Sequence, residues 1–212
     1  MTENKVVASG RVVRIRRLPN GSAVVMLASK ASKMIFPSFT VPSGVWEKLR
    51  VRDRVHVEGH VETYLANTKA GKVKKQKFTA DTIGKEPTLT EDYFGIKGKF
   101  YPEMYVRVYL RGEITGMTDT KDGWLHYVIA VDGDNDRRES FVKVNHKKPE
   151  YGKTFDKGDK ICAVCGVTTA EKEKDGKQIK YEDICVLDIA GDKENTKQDK
   201  EEKVRVDVEP IF

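Results

Sequence analysis

The chain contains little of what builds disulfide frameworks or membrane spans. Its 212 residues include three cysteines, and this small, odd number favours a reducing cytosol over a set of disulfides. No apolar run approaches the ~18 residues that a membrane-spanning helix needs. Met1–Gly10 also lacks the apolar core of a signal peptide. We therefore expect a cytoplasmic protein.

Residues at catalytic or metal-binding spacing are also scarce. Cys162 and Cys165 form a Cys-x-x-Cys pair, but Cys185 is the only other cysteine, and a structural zinc site usually takes four ligands. Their apolar surroundings favour small core residues instead. The four histidines are His56, His60, His126 and His146, and none has a second potential metal ligand at the spacing typical of a metal site.

The sequence also lacks a Walker-type phosphate loop and a nucleophile elbow. We therefore predict no metal site, no cofactor and no enzymatic activity. A nuclease whose carboxylates converge only in the folded chain stays open.

Positive charge is concentrated in the first half of the chain. Residues 1–98 carry 18 Lys and Arg against 9 Asp and Glu, whereas residues 99–190 carry 16 against 17 and residues 191–212 carry 5 against 7. The net charge of the whole chain is +6. This asymmetry favours a polyanion bound mainly by the first half, although charge alone is equally consistent with a solubilising surface.

The sequence repeats itself loosely at an interval of about 95–100 residues. The copies begin with apolar strands at Val6 and at Val106. Each continues through a hairpin turn, Pro19–Gly21 or Lys121–Gly123, in which Asn-Gly or Asp-Gly accepts positive φ. A second strand, a third strand, a long fourth strand, a basic loop and a closing strand follow in both copies.

Each copy therefore offers five short strands. Gly59 and Gly166 lie within the fourth strands, where a glycine indicates the bulge or tight bend that a small barrel needs to close. A single short helix is predicted after the third strand of the first copy, over Val45–Leu49. It is shortened or lost in the second copy, where only Pro149–Phe155 is available. Five strands, a helix after the third, and long 1–2 and 4–5 loops describe an OB-fold.

The predicted fold class is all-β, with two tandem five-stranded OB-fold barrels and a disordered C-terminal tail. Residues 1–85 form the first barrel, 86–103 a linker, 104–190 a divergent second barrel and 191–212 the tail. The start of the tail is polar and almost free of apolar side chains, which is typical of disorder. Hydrophobic residues return only over Val204–Phe212.

Basic and aromatic residues of the first copy suit unpaired nucleic acid, which offers phosphates and exposed base faces. Lys and Arg bind the backbone and rings stack on the bases, each stack contributing roughly 1–3 kcal/mol without reading base identity. The basic candidates lie on strand one, before strand four and on the 4–5 loop, which borders the OB-fold ligand groove. They are Arg11, Arg14, Arg16, Arg17, Arg52, Arg54, Lys69, Lys72, Lys74, Lys75 and Lys77.

Three rings of the first copy are candidates for stacking, namely Phe36, Phe39 and Tyr64. Phe36 or Phe39 could equally plug the barrel, and Trp46 on the predicted helix is better suited to cap its bottom.

In the second copy, alternation along strand two assigns one face to the core. That core face consists of Leu125, Tyr127, Ile129 and Val131. The opposite face leaves Trp124, with Phe141 and Lys143 of strand three, as a possible stacking surface.

Three segments resemble the bacterial-type single-stranded DNA-binding protein family. Parts of Asn4–Ser29 resemble the opening of these proteins, and Asp53–Val61 resembles their fourth strand. Asp207–Phe212 is similar to their acidic tail, which ends in a proline and a phenylalanine. The resemblance covers residues 4–83 and recurs weakly over 104–190.

The resemblance implies a protein that wraps and protects single-stranded DNA in replication, recombination and repair. The family acts as four OB-folds, so a chain with two folds would form a dimer. Phe39 falls near a base-stacking phenylalanine of the family and Tyr64 near a stacking tryptophan, whereas Lys33 stands where the family often has a tryptophan. The diverged sequence would suit a phage or mobile-element protein.

The resemblance also implies that the C-terminal tip recruits partner proteins of replication, recombination or repair. The tip would insert Phe212 into a partner's pocket while its acids meet basic residues. The tip residues are Asp207, Glu209, Pro210, Ile211 and Phe212. Two alternatives stay open, a protein-interaction adaptor that keeps OB barrels without nucleic acid, and a tandem OB-fold protein that binds RNA through its 2′-hydroxyls.

Overall fold

The computed structural model consists almost entirely of β-strands. It describes residues 2–30, 34–68, 71–86, 89–93, 96–100, 104–131, 139–148, 154–174 and 177–192. The first strands are β1 (Glu3–Arg17), β2 (Ala23–Lys30), β3 (Met34–Ile35), β4 (Ser38–Val41), β5 (Arg54–Thr68) and β6 (Gly71–Lys85). A separate hairpin follows, formed by β7 (Leu89–Tyr93) and β8 (Ile96–Phe100). The last strands are β9 (Tyr105–Asp119), β10 (Trp124–Val131), β11 (Ser140–Lys147), β12 (Lys160–Lys174) and β13 (Lys177–Gly191).

Two closed barrels arise from the pairing of these strands. β1, β2, β4, β6 and β5 close the first barrel, in which only β4 and β6 are parallel neighbours. β9, β10, β11, β13 and β12 close the second in the same order, with β11 parallel to β13. This is the five-stranded arrangement of an OB-fold, so the predicted fold class of two tandem barrels is confirmed. Among the described segments, none forms a helix with the length and apolarity of a membrane span.

The short helix predicted after the third strand is a single 3₁₀ turn, Trp46–Lys48. The Trp46 ring is buried, and its Nε1–H donates to the carbonyl of Gly21 at 2.9 Å. This bond ties the turn to the β1–β2 loop, so Trp46 closes one end of the barrel as the sequence indicated.

Alternate residues of each strand fill the barrel interiors, because successive side chains of a strand point to opposite faces. The predicted core face of β10 is confirmed, since Leu125, Tyr127, Ile129 and Val131 are all buried. Phe39 of β4 is also fully buried, and its ring lies 5.5 Å from that of Phe78.

Direct pairing of β1 with β9 joins the two barrels into one continuous sheet. The antiparallel register runs from Glu3 opposite Arg111 to Ser9 opposite Tyr105. Val6 faces Val108 at its centre, and both are fully buried. Each of these valines lies four residues before an equivalent glycine of its strand, so the two barrels are related by an approximate two-fold axis through this pair.

Those equivalent glycines, Gly10 and Gly112, mark the point where the first strand of each barrel bends. A Cβ atom on Gly10 would lie 2.6 Å from the carbonyl oxygen of Ala28, and one on Gly112 would lie 2.0 Å from that of Ala130. Immediately beyond, each strand carries a bulge, at Val13 and at Thr115. The bulge lets a small barrel curve closed, and it also resets which residues face outward.

The two fourth-strand glycines differ in role. A bulge separates the register of Glu58 from that of Gly59, and a Cβ on Gly59 would lie 2.1 Å from the carbonyl oxygen of Thr79. In the second barrel the equivalent bulge lies between Val164 and Cys165, so Cys165 is the residue that corresponds to Gly59. Gly166 follows one residue later, and the atoms nearest to a Cβ there belong to the Leu187 side chain and not to backbone. Both fourth strands therefore carry the predicted bulge, but only at Gly59 does the glycine itself occupy the position of close approach. The hairpin glycines Gly21 and Gly123 do have the positive φ that was predicted, 83° and 74°.

We predict that Gly59→Ala lowers the free energy of unfolding by about 1–3 kcal/mol, because the added methyl group would overlap the backbone of β6, which cannot move aside without disrupting the sheet. Gly84→Ala in the same hairpin is the control, since a Cβ at Gly84 meets no atom within 4 Å. Urea unfolding should show a loss for Gly59→Ala and none for Gly84→Ala. Equal midpoints for the two variants would refute the close approach of β5 to β6.

Candidate nucleic-acid interface

The outer face of β1, β2 and β4 brings two arginines onto the part of an OB-fold where ligands bind. Two rows cross these strands, Arg14–Met26–Ser38 and Arg16–Val24–Thr40. Both arginines are exposed. Within the described part of the chain, neither has an acidic side chain within salt-bridge distance. We call the six residues of these rows the first strip.

The bulge at Val13 places both arginines on this face. Val12 points into the core and Val13 is left unpaired, so Arg14 and Arg16 face outward and Ile15 faces inward. Without the extra residue at Val13, Arg14 and Arg16 would face the core and Ile15 would face solvent, because a shift of one residue exchanges the two faces of a strand. The sequence itself indicates the bulge. Apolar inward residues recur at every second position up to Val12, whereas the next inward residue, Ile15, follows three positions later.

Arg11 and Phe36 extend the first strip at one end. Arg11 pairs with Ala28, and the bond from the Leu27 N–H to the Pro37 carbonyl places Phe36 beside Ala28. Arg11 is exposed, and the Phe36 ring is 45% exposed. An exposed ring next to exposed arginines is the combination that unpaired nucleic acid binds.

The β5–β6 hairpin projects beyond the barrel as a basic arm. We define the first arm as residues 62–68 and 71–77, which pair from Glu62–Lys77 to Thr68–Gly71. Cross-strand pairing divides its side chains between two faces. One face carries Lys72 and Lys74, and the other carries Tyr64, Lys75 and Lys77. Lys69 lies outside the described residues.

Lys77 is engaged within the first arm. Its ammonium lies 3.1 Å from the Glu62 carboxylate, which also accepts a 3.0 Å hydrogen bond from the Thr79 hydroxyl. Burial alone would raise the pKa of Glu62, but these two bonds outweigh it and lower the pKa below its ordinary value of 4.5. The same ammonium lies 5.6 Å from the centre of the exposed Tyr64 ring.

The first arm reaches across to the third strand of the second barrel. The Gln76 amide donates to the carbonyl of Lys143 at 3.2 Å and accepts from its N–H at 3.1 Å. The Lys74 ammonium lies 3.7 Å from the centre of the Phe141 ring. The N–H of Phe141 donates to the Thr63 hydroxyl at 3.2 Å.

A second arm makes the reciprocal contact. It comprises residues 168–174 and 177–183, paired between β12 and β13. The Ser38 N–H of the first strip donates to the carboxylate of Glu182 at 2.9 Å. The arm of each barrel thus contacts the third strand of the other barrel, which is β11 for the first arm and β4 for the second. The sequence predicted neither contact because both join residues far apart in the chain.

Three predicted arginines lie away from the first strip. Arg17 stacks over Trp46, 5.0 Å from the ring centre, at the end of the barrel. Arg52 is in the turn before β5 with a φ of 80°, and its N–H donates to the Val12 carbonyl. Arg54 is paired with Glu86 at 3.2 Å, and both side chains are almost fully buried, so the prediction that Arg54 binds nucleic acid is corrected.

The prediction that Phe39 stacks on bases is also corrected. Its ring is fully buried against Phe78 inside the barrel, and no base could reach it in this fold. Burial alternates without a break from Ile35 to Val41, with Phe36 outward and Phe39 inward, but a proline argues against a continuous strand, so the sequence did not assign the two rings to faces.

The outer face of β9, β10 and β11 forms the equivalent second strip. Gly116 and Thr118 stand where the first strip has Arg14 and Arg16. The predicted Trp124, Phe141 and Lys143 all lie on this face, and Trp124 is 38% exposed. Phe141 pairs with Ala130, six residues along β10 from Trp124, so the two rings are about 20 Å apart. They cannot stack on the same base.

The second strip also contains a polar pair that the sequence analysis did not single out. His126 and Asn145 pair across β10 and β11, and the His126 Nδ1–H donates to the Asn145 side-chain oxygen at 2.6 Å. Thr118 pairs with His126 on the other side. The alternation of β10, which placed Trp124 on this face, could have identified His126 as its neighbour.

The cysteines that the structure describes form no metal site. Cys165 is fully buried, and burial raises its pKa to about 12, so its thiol stays protonated at neutral pH. No group of three or more potential metal ligands occurs in the described part of the chain. The predicted tip residues Asp207, Glu209, Pro210, Ile211 and Phe212 lie outside the described residues.

We predict that Glu182→Gln stabilises the protein at pH 7 by up to about 1 kcal/mol. The Glu182 carboxylate is largely buried, and this burial raises its pKa above the ordinary 4.5. A carboxyl group with a raised pKa destabilises the fold once it ionises, so the gain should appear as the pH rises above 4.5 and vanish below it. The glutamine keeps the acceptor for Ser38.

Glu62→Gln is the control of opposite sign. The pKa of Glu62 is lowered, so its ionised form adds stability that is lost as the pH falls below 4.5. This substitution should lower stability at pH 7, by no more than a few tenths of a kcal/mol because the pair is solvated. Thermal unfolding at pH 4 and pH 7 measures both effects. A Glu182→Gln variant less stable than the parent at pH 7 would contradict the contact.

Comparison with known proteins supports the fold independently. No family model matches the chain, and no curated protein matches it. Two crystal structures of the single-stranded DNA binding protein from Thermus aquaticus are similar. A deletion mutant shares 17% identity with a TM-score of 0.61 and covers 90% of this chain and 95% of its own. The wild-type protein shares 16% identity with a TM-score of 0.60 and covers 90% and 93%. At this identity the likeness shows a shared fold over nearly the whole of both chains.

Proposed function

We propose that the chain binds single-stranded DNA, without strong sequence specificity, on the first strip. The observation that carries the proposal is the pair of exposed arginines, Arg14 and Arg16, near the exposed ring of Phe36. Neither arginine has an acidic partner among the residues that the structure describes. Two cations can bind consecutive phosphates while the ring stacks on a base. The Thermus aquaticus proteins of the same fold are named for binding single-stranded DNA, which supports this choice of ligand.

The geometry favours an unpaired strand over a duplex. A ring on a sheet surface can stack only on a base face, and base faces are covered by neighbouring bases in a double helix. The apolar side chains of Met26 and Val24, at the centres of the two rows, offer a platform that makes no hydrogen bond to a base edge. Arg14 and Arg16 bind phosphates of any sequence, so the first strip does not discriminate between bases.

The first arm extends the cationic surface beyond the strip. Lys75 and the ring of Tyr64 are exposed on one face of the first arm, and Lys72 is exposed on the opposite face. Lys74 and Lys77 are already in contact with Phe141 and Glu62, so they would contribute less to binding. A strand leaving Phe36 can thus continue along the first arm toward the second barrel.

We predict that Arg14→Ala/Arg16→Ala lowers affinity for oligo-dT at least tenfold at low salt. Losing two phosphate contacts should also flatten the slope of log affinity against log salt by about 1.4, since each contact to a single strand contributes about 0.7. Fluorescence titration at several salt concentrations measures both quantities.

The matched control for this titration is Arg17→Ala/Lys85→Ala. It removes the same charge, but Arg17 stacks on Trp46 and Lys85 pairs with Asp53. An equal loss in both variants would mean that net charge and not the first strip governs binding. Equal affinity for duplex DNA, tighter binding of oligoribonucleotides, or no binding at all would reject the proposed ligand.

We further propose that the C-terminal tip recruits proteins of replication, recombination or repair. The support is the sequence alone, an acidic-hydrophobic end that follows a polar segment. We expect that deleting Glu209–Phe212 leaves oligo-dT affinity unchanged but abolishes capture of partner enzymes. The assay compares pull-downs with full-length and truncated protein, and identical capture by both would reject the role of the tip.

A further inference from the structure

The two strips are built on the same frame but present different chemistry. In the first, the central row is Arg16–Val24–Thr40, a cation beside an aliphatic side chain and a small hydroxyl. The equivalent row of the second strip is Thr118–His126–Asn145, in which the last two are an imidazole and an amide. One strip is suited to phosphates, and the other carries hydrogen-bonding groups where a base would lie.

His126 and Asn145 are held as one unit. The 2.6 Å hydrogen bond uses the His126 Nδ1–H and the Asn145 side-chain oxygen. The Asn145 amide nitrogen and the His126 Nε2 atom are therefore directed away from this bond. Together they offer two N–H donors and, on the neutral imidazole, one acceptor. These groups lie at opposite ends of the hydrogen-bonded pair, so a base edge above either residue can make one hydrogen bond to it, and the bond depends on which donors and acceptors that base presents.

Trp124 supplies the surface on which such a base can lie. It is on the same face of β10 as His126, two residues away, which corresponds to about 6.6 Å along the strand. Its ring is 38% exposed. Lys147 of β11 pairs with Trp124 and is exposed, so a cation that can bind a phosphate of the nucleic acid lies beside the ring. A base stacked on Trp124 would direct its edge toward His126 and Asn145.

We propose that the His126–Asn145 pair hydrogen-bonds the Watson–Crick edge of an unpaired base stacked on Trp124, giving the second barrel a base preference that the first lacks. This inference rests on the proposed function. It assigns different tasks to the two barrels, with the first holding the strand through phosphates and the second discriminating between bases. That edge is occupied in a duplex, so the pair also favours single strands.

The test converts the second strip into the first. His126→Val/Asn145→Thr installs the residues that the first strip has at the equivalent positions, Val24 and Thr40. Affinities are measured by Trp fluorescence for short dT oligonucleotides in which a central block is kept or replaced by dC or by dA. His60→Val, which removes an imidazole paired with Asp81 on β5 and β6 outside both strips, is the control variant.

We expect the parent protein and the control variant to distinguish the three oligonucleotides by about fivefold, the effect of a single net hydrogen bond. The double variant should bind all three within about twofold. The same spread in all proteins, or no spread in the parent, would overturn the inference while leaving the proposed function standing. Absence of binding to every oligonucleotide would reject the proposed function instead. Asn145→Thr alone, which keeps His126, gives the same comparison if the double variant unfolds.

Discussion

Pairing of β1 with β9 is the interaction on which the rest of the structure depends. It converts two small barrels into one body and places Val6 and Val108 on an approximate two-fold axis. Because the barrels face each other across this axis, each arm can reach the third strand of the other. The contacts of Gln76 with Lys143 and of Glu182 with Ser38 follow from that geometry. Without the central pairing, neither arm would have a partner.

The same frame allows the two ligand faces to diverge. Both first strands bend at a glycine and carry a bulge, so the same positions face outward in each barrel. At those positions one barrel has Arg14 and Arg16 and the other has Gly116 and Thr118. The hydrogen-bond network that closes the barrels involves backbone, so these outward side chains could change without cost to the fold. A tandem chain can thus combine a face that carries arginines with a face rich in hydrogen-bonding groups.

Much of the fold could be predicted from sequence because its signals are local. Alternation identified the buried face of β10, and the Asn-Gly and Asp-Gly turns have the positive φ they require at Gly21 and Gly123. The site was less predictable. Burial alternates regularly across Pro37, but a proline makes a continuous strand an unfavourable prediction, so only the folded barrel shows that Phe39 is buried.

Contacts between distant residues lay beyond sequence reasoning for a different reason. Arg54 looked like one more cation of a basic surface, yet Glu86, distant in sequence, neutralises it in a buried pair. Gln76 looked like an ordinary polar residue of a basic loop, and its role appears only when β11 lies beside it. Pairings of this kind are set by the topology and leave no periodic pattern in the chain.

The central claim is that an unpaired strand lies across β1, β2 and β4. Ultraviolet cross-linking of the protein to oligo-dT, followed by mass spectrometry of the peptides, locates the strand directly. We expect thymine adducts on Phe36 and on the adjacent residues of the first strip. Adducts confined to Tyr105 and Tyr109, on the outer face of β9 beside β1, would place the strand on the other side of the barrels and contradict it.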